Sequence, residues 1–361
     1  MDCSQFDATR YRHWIKLNNV GPVKKEDCFT IMSYNLLSRH YMWNQVFGYL
    51  DQSYLNWTDY RFPLINKTIQ QFQCDIMCFQ EMECSIYDSY WSMNFPSSKY
   101  ASFYMKKSLP EYWAGRPTDF IDGVGIFVNT ARFDVLDCKK INFGDYLKTN
   151  AADFEMTQDL ITRVVSRNTV AIILKLYDRI SGKDVYVATT HLYWSPKYND
   201  VKVMQTKLLL NILQKFVDVP NPYIILMGDL NSNSESLVFK LLDSHQDPHH
   251  AISLSGRPEF NGYDYGTNNQ LVNKNNAIEN QFCLMNIYEE VLNHKKLNFT
   301  SFTKSLTDVL DHMFVSHDKF SIVKMLSEVD PTYCMNEKVI GFPNNEFPSD
   351  HIPLVAELCY K

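Results

Sequence analysis

Short apolar runs rich in β-branched and aromatic residues recur along the chain: Phe29–Tyr34, Asp75–Phe79, Val124–Asn129, Val170–Leu176, Val185–Thr190, Tyr223–Met227, Val309–Val315 and Ile352–Leu358. Each reads as a buried strand. Apolar positions at helical spacing fall between them. Pro63–Phe72 carries Leu64, Ile65, Ile69 and Phe72 behind a proline near its start, the position where proline suits a helix. Val201–Val217 carries Val201, Met204, Leu208, Ile212 and Phe216, and Ser234–Leu242 opens on Ser-Glu-Ser, a good helix start. Strands and helices alternate early and strands dominate late, which predicts a layered α/β protein with a mixed sheet. No proline- or glycine-rich linker divides the chain, so one domain is expected over residues 29–361, after an N-terminal extension, 1–28. The polar stretch 256–281 reads as a surface insertion loop.

Polar groups sit at the ends of the strand-like runs. Thr30–Tyr34 ends in Asn35, and Asp75–Phe79 ends in Gln80-Glu81. Val185–Thr190 ends in His191, and Tyr223–Met227 ends in Gly228-Asp229-Leu230-Asn231. Residues i and i+2 of an extended segment point the same way, so Asp229 and Asn231 are expected to aim together at one site. Two late runs are reversed: Asp311 opens one, and Ser349-Asp350-His351 precedes the other. If all six groups share one rim, the last two strands run away from it. Any one such residue is more often a turn or cap residue; six together supply complementary roles.

Those roles are the parts of metal-assisted phosphate-ester hydrolysis. Glu81 is a hard oxygen ligand suited to Mg²⁺, with Mn²⁺ as a substitute. Asp229 would orient or deprotonate a water that Asn231 positions. His191 could donate to a non-bridging oxygen. Asp311 could fix the tautomer of His351 and favour its charged form, leaving His351 to stabilise phosphate charge or to act as the base.

With these motifs in this order, the chain resembles the endonuclease/exonuclease/phosphatase superfamily over about residues 29 to 358. The resemblance implies a four-layer α/β sandwich of DNase-I type, two mixed sheets packed face to face beneath outer helices. It also implies catalytic roles for Asn35, His191, Asp229, Asn231, Asp311 and His351, with Glu81 and Asp350 as metal ligands. Tyr34-Asn35-Leu36-Leu37, Leu55-Asn56-Trp57, Tyr60-Arg61, Asp122-Gly123-Val124-Gly125, Arg167-Asn168-Thr169 and Thr190–Lys202 resemble the carbon-catabolite-repressor deadenylases and their nocturnin, angel and Ngl relatives. The short fungal Ngl-type nucleases are the nearest in pattern. The implied activity is a 3′-to-5′ exoribonuclease preferring poly(A). A nocturnin-like phosphatase acting on NADP(H) or another small nucleotide is the alternative, and a catalytically silent RNA adaptor is the third. The deadenylase proper carries a leucine-rich-repeat region; only about 28 residues precede the first strand here, so no docking by that route is expected.

Composition narrows this picture less than the motifs do. A net charge of −6 argues against a protein that coats nucleic acid nonspecifically, because such binding rests on many Lys/Arg–phosphate contacts. A local basic groove remains compatible with it. Candidate phosphate contacts are Lys106, Lys107, Arg163 and Arg167, with Asn168 beside them. Candidate stacking platforms are Trp43, Trp194, Tyr198 and Phe347, although aromatics are 14% of the chain and most must be core. No run approaches the roughly 18 apolar residues of a membrane span. Asp2 and Asp7 disfavour a leader, while Arg10, Arg12 and Lys16 keep a mitochondrial one open. Nine cysteines without a C-x-x-C pair read as reduced thiols of an intracellular protein, with a cytoplasmic location favoured.

Overall fold

The computed structural model describes residues 6–17, 24–94, 99–110, 113, 115, 117–246, 251–254, 257–260, 277–291 and 297–361. Its strands in chain order are β1 (Trp14–Lys16), β2 (Cys28–Asn35), β3 (Ile76–Glu83), β4 (Tyr100–Lys106), β5 (Asp122–Asn129) and β6 (Phe133–Asn142). There follow β7 (Val170–Asp178), β8 (Lys183–His191), β9 (Tyr223–Asp229), β10 (Ala251–Ser253), β11 (Ala277–Glu279) and β12 (Leu284–Asn286). The last are β13 (Ser301–Phe302), β14 (Thr307–Asp308), β15 (Asp311–Ser316), β16 (Phe320–Leu326) and β17 (Leu354–Tyr360). Seven form one sheet in the order β1-β16-β17-β2-β3-β5-β4, and six form a second in the order β12-β15-β9-β8-β7-β6.

All eight strand-like runs are strands, and the three helical patterns are the helices Phe62–Phe72, Asn199–Phe216 and Leu237–Leu242. The runs read as continuously apolar because both faces of each sheet are covered. In β9, Ile225 and Met227 face the interior between the sheets, while Ile224 and Leu226 face the Asn199–Phe216 helix side. In β2, Phe29 and Ile31 point between the sheets, and Met32 and Tyr34 point to the side covered by Phe62–Phe72. Helix, sheet, sheet and helix make the four layers.

Direction within the sheets sets up the site. Each sheet holds one parallel pair at its centre, β2 with β3 and β8 with β9. The late strands are antiparallel to these, β17 on β2 and β15 on β9. The chain therefore enters β15 and β17 from the rim that the parallel pairs approach. Trp14–Lys16 pairs with β16, so part of the N-terminal stretch is an edge strand of the first sheet. Most of 256–281 lies outside the described residues; at its flanks β10 and β11 pair antiparallel. No helix among the described residues is long and apolar enough to cross a membrane.

Candidate active site

The inward parity that places Phe29, Ile31, Ile225 and Met227 in the core continues to the strand ends, where the residues change from apolar to polar. Asn35 on β2, Gln80 on β3, His191 on β8 and Asp229 on β9 all share it. On β15, Asp311 shares the parity of Met313 and Val315. The interior of the sandwich thus becomes a polar pocket at one end. Asp229 stands opposite Asp311 and beside His191 in register. Gly228 allows this close pairing: a Cβ there would meet the Thr190 carbonyl oxygen at 2.2 Å.

Glu81 would point out of the sandwich by the same parity. A register shift in β3 between Phe79 and Met82 inserts a bulge, and Glu81 takes a left-handed φ of 56°. Such a conformation costs a non-glycine residue on the order of 1 kcal/mol or more and is kept where it re-aims a side chain. Its carboxylate accepts from the Ser38 N–H at 2.8 Å and the Asn35 amide at 3.0 Å. The same Asn35 nitrogen donates to Asp229 Oδ2 at 2.9 Å. One amide therefore holds two carboxylates, one from each sheet. Ser349 Oγ donates to the Asn35 carbonyl at 2.7 Å and fixes its strand end.

Two histidines face Asp229. His191 Nε2 lies 3.6 Å from Asp229 Oδ2 and 4.0 Å from Glu81 Oε1, too far for hydrogen bonds. Lys107 Nζ stands 3.4 Å from His191 Nδ1, where a donor leaves the ring proton on Nε2. Burial, then Lys107 and His351, hold its pKa well below the ordinary value. His351 Nε2 lies 3.8 Å from the same Asp229 oxygen, and its Nδ1 is 2.6 Å from Asp311 Oδ2. Burial pulls against its charged form, but Asp311, Asp350 and Asp229 outweigh this and hold its pKa well above the ordinary value. Thr300 Oγ1 accepts the N–H groups of Leu310 and Asp311 at 2.8 and 3.0 Å, and so sets where β15 begins.

The acidic groups feel each other. Burial, then Asp350 and Asp122, push Glu81 up to about 8. Burial and Asp311 push Asp229 up to about 6. Asp311 Oδ1 is buried without a hydrogen-bond partner among the described residues. Oxygen donors in excess of nearby cations, one of them unsatisfied, fit a hard divalent cation. Glu81, His191 and Asp229 offer ligand atoms within 4.8 Å of one another, as do Asp229, Asp311 and His351.

Not every expected residue points as its spacing suggested. β9 ends at Asp229, and Asn231 follows with a left-handed φ of 47°. Its N–H donates to Asp229 Oδ1 at 2.8 Å and its side-chain amide to the Leu192 carbonyl at 2.9 Å, so Asn231 braces Asp229. Asp350 stands outside both metal-capable groups and acts on Glu81 through its charge. Phe347 is no open platform: it is buried, stacked on Phe342 at 4.2 Å beneath the Ser349–His351 segment. Arg163 is spent on Asp200, with two contacts of 2.8 Å.

Arg167, Asn168 and Trp194 do meet, on the wall of a cleft of about 240 Å³ that Tyr41, Trp43, Lys107 and His191 also line. The Asn168 amide already donates to the Ser108 carbonyl at 3.0 Å. Lys107, expected as a phosphate contact, and Arg61, part of the Tyr60-Arg61 motif, take structural roles that their spacing does not announce. Lys107 is buried against Asp122 at 2.6 Å; nothing in the spacing of a lysine and a distant aspartate announces such a pair. Arg61 is fully buried and ties the Pro348 carbonyl at 2.7 Å to the carbonyls of Leu36 and Leu37. It joins the loop after Asn35 to the segment carrying His351.

A sandwich whose interior ends in this set of carboxylates, amides and histidines defines a class. The chain belongs to the Endonuclease/Exonuclease/phosphatase family, whose sequence model matches residues 32–351. It is 32% identical over 339 residues to the CCR4-Not complex 3′-5′-exoribonuclease subunit Ccr4 of Saccharomyces cerevisiae, covering 91% of this chain and 38% of that protein. The Candida glabrata counterpart is 31% identical over 346 residues, covering 94% and 37%. The chain thus spans less than half the length of these curated relatives. Its fold is that of ANGEL2, a 2′,3′-cyclic phosphatase (TM-score 0.75, 21% identity, 96% and 98% of the two chains), and of the human Nocturnin catalytic domain (TM-score 0.65, 18% identity, 97% and 98%).

Proposed function

We propose that the protein is a magnesium-dependent phosphodiesterase acting on RNA, a 3′-to-5′ exoribonuclease with a preference for poly(A). One observation carries the reading: Asp229 stands between a histidine that offers an N–H and a histidine backed by a carboxylate, with Glu81 held beside it by the shared Asn35 amide. The choice of RNA draws on the likeness to the Ccr4 exoribonuclease subunits.

Glu81 would hold the magnesium ion, with Asp229 in reach and manganese as a substitute. Bound there, the ion supplies charge stabilisation to a phosphoryl oxygen. Asp229, braced by Asn231 and Asn35, aligns the attacking water. His191 Nε2–H, unspent on any acceptor among the described residues, donates to a non-bridging oxygen as negative charge develops there. His351, with Asp311 behind it, pairs its positive charge with the same phosphate. Single-stranded RNA enters by the cleft lined with Trp43, Trp194 and Arg167.

Incubation with Mg²⁺ and end-labelled oligo(A), oligo(U) or NADPH tests this, with a Glu81→Ala/Asp229→Ala double variant as control. A one-nucleotide ladder, stronger on oligo(A) and absent from the control, is expected. Phosphate release from NADPH with intact oligo(A) would make the protein a small-nucleotide phosphatase. No turnover of any of the three would point to the adaptor.

A further inference from the structure

Buried arginines elsewhere in the molecule show what a satisfied guanidinium looks like here. Arg163 gives Nε and Nη2 to Asp200, and Arg132 gives the same two to Asp178. Arg12 and Arg61 end on backbone carbonyls. Arg167 is built differently. Its Nε donates to the Arg163 carbonyl at 3.0 Å. Its guanidinium carbon lies 4.6 Å from the ring centre of Tyr193 and 4.9 Å from that of Tyr198. Its two terminal nitrogens have no acceptor among the described residues, and the half-buried side chain lines the cleft that also contains His191.

A planar cation pinned on two aromatic faces is already ordered before any ligand arrives. Its free edge presents a fork of N–H groups, the geometry that matches a phosphate. The rings beneath it continue outward. Tyr193 lies 6.1 Å from Trp194, and Trp194 meets Trp43 edge to face at 6.2 Å. Both indoles are about half exposed, Trp43 at 42% and Trp194 at 52%. Half-exposed indoles on a cleft wall are sequence-tolerant seats for a base.

We propose that Arg167 grips a second phosphate of a single-stranded nucleic acid, the one adjoining the phosphate being hydrolysed, and that the exposed ring faces of Trp194 and Trp43 offer stacking seats to its bases. The inference rests on the RNA reading above and deepens it: the preferred substrate carries at least two consecutive internucleotide phosphates. His191, Asp229 and His351 act on the first. Arg167 holds the second and sets register, so its loss shows mainly in KM and only on substrates long enough to reach it.

The test compares kcat and KM on a dinucleoside monophosphate, ApA, with those on a penta-adenylate, for the wild-type protein, R167Q and R167K. One charge-assisted contact is expected to make R167Q lose about tenfold more kcat/KM on the pentamer than on ApA. R167K, keeping the charge but not the fork, should recover part of this. The slope of log KM against log salt on the pentamer should flatten by about 0.7 in R167Q, as for one lost phosphate contact on a single strand. W194L should raise KM on the pentamer without lowering kcat. If R167Q reduces both substrates by one common factor, or leaves the pentamer's KM and salt slope untouched while the wild type cuts it, the subsite is wrong and the RNA reading stands. If the wild type cuts neither substrate, both fall together.

Discussion

His191 and His351 approach the same oxygen of Asp229, at 3.6 and 3.8 Å, from opposite sides of the site. Their second ring nitrogens meet opposite charges. His191 Nδ1 meets the Lys107 ammonium, itself anchored on Asp122, whereas His351 Nδ1 meets the Asp311 carboxylate. Burial is nearly equal, at 5% and 6% exposure, so burial does not separate them. The partner behind each ring does, by fixing which nitrogen carries the proton and whether the ring is charged. A pair of histidines alike in type, depth and distance thereby becomes a neutral donor and a cation.

The largest effect should come from the His351 side. D311N replaces the charged partner with an amide that can present the wrong atom to Nδ1. A comparable change behind a catalytic histidine costs about 10⁴ in kcat in the serine-protease triad, and a loss of about 10³ to 10⁴ in single-turnover cleavage of oligo(A) is expected here. A loss below about tenfold would mean that Asp311 does not govern His351.

His312, adjacent to Asp311, provides a contrast with no catalytic duty. Its Nε2–H donates to the Ser232 carbonyl at 2.7 Å, and its Nδ1 lies 3.4 Å from the Asn286 amide. Burial pulls its pKa from 6.5 down to about 4. Because the folded value is the lower one, its stabilisation is full above about pH 6.5 and is lost as pH falls toward 4, to a total of about 3 kcal/mol. Urea unfolding at about pH 7 and about pH 4.5 measures this, and H312Q should flatten the difference.

A smaller change is expected on the His191 side. K107M leaves the ring in place but frees its tautomer, which should lower kcat by about 10². D122N should do nearly the same, and the K107M/D122N double variant should be scarcely worse than either single change, since both act through one ring. Additive losses would show that Lys107 contacts substrate directly.

The unequal visibility of these parts in the sequence has a physical basis. Strands buried on both faces leave unbroken apolar runs, so β2, β3, β5, β7, β8, β9, β15 and β17 were legible, and so were the polar residues that end them. β6 was not, because its outer positions are exposed and charged and its pattern is mixed. The bulge that turns Glu81 inward leaves no trace in a run of residue types; its place at a strand end and its chemistry mark Glu81, not its direction. Asn231 was misdirected because the extended geometry stops at Asp229. Phe347 and Trp194 look alike as residues and differ only in what covers them. Lys107 acts across the cleft through partners brought together by the fold, and Arg61 does so between two loops.

The most direct test of the division between the two histidines is a nitrogen NMR spectrum of the histidine rings in the magnesium-loaded protein at about pH 7, with H191N and H351N for assignment. One neutral ring protonated on Nε2, lost in H191N, and one imidazolium, lost in H351N, are expected. Two rings in the same charge state, or the proton of His191 on Nδ1, would contradict that division.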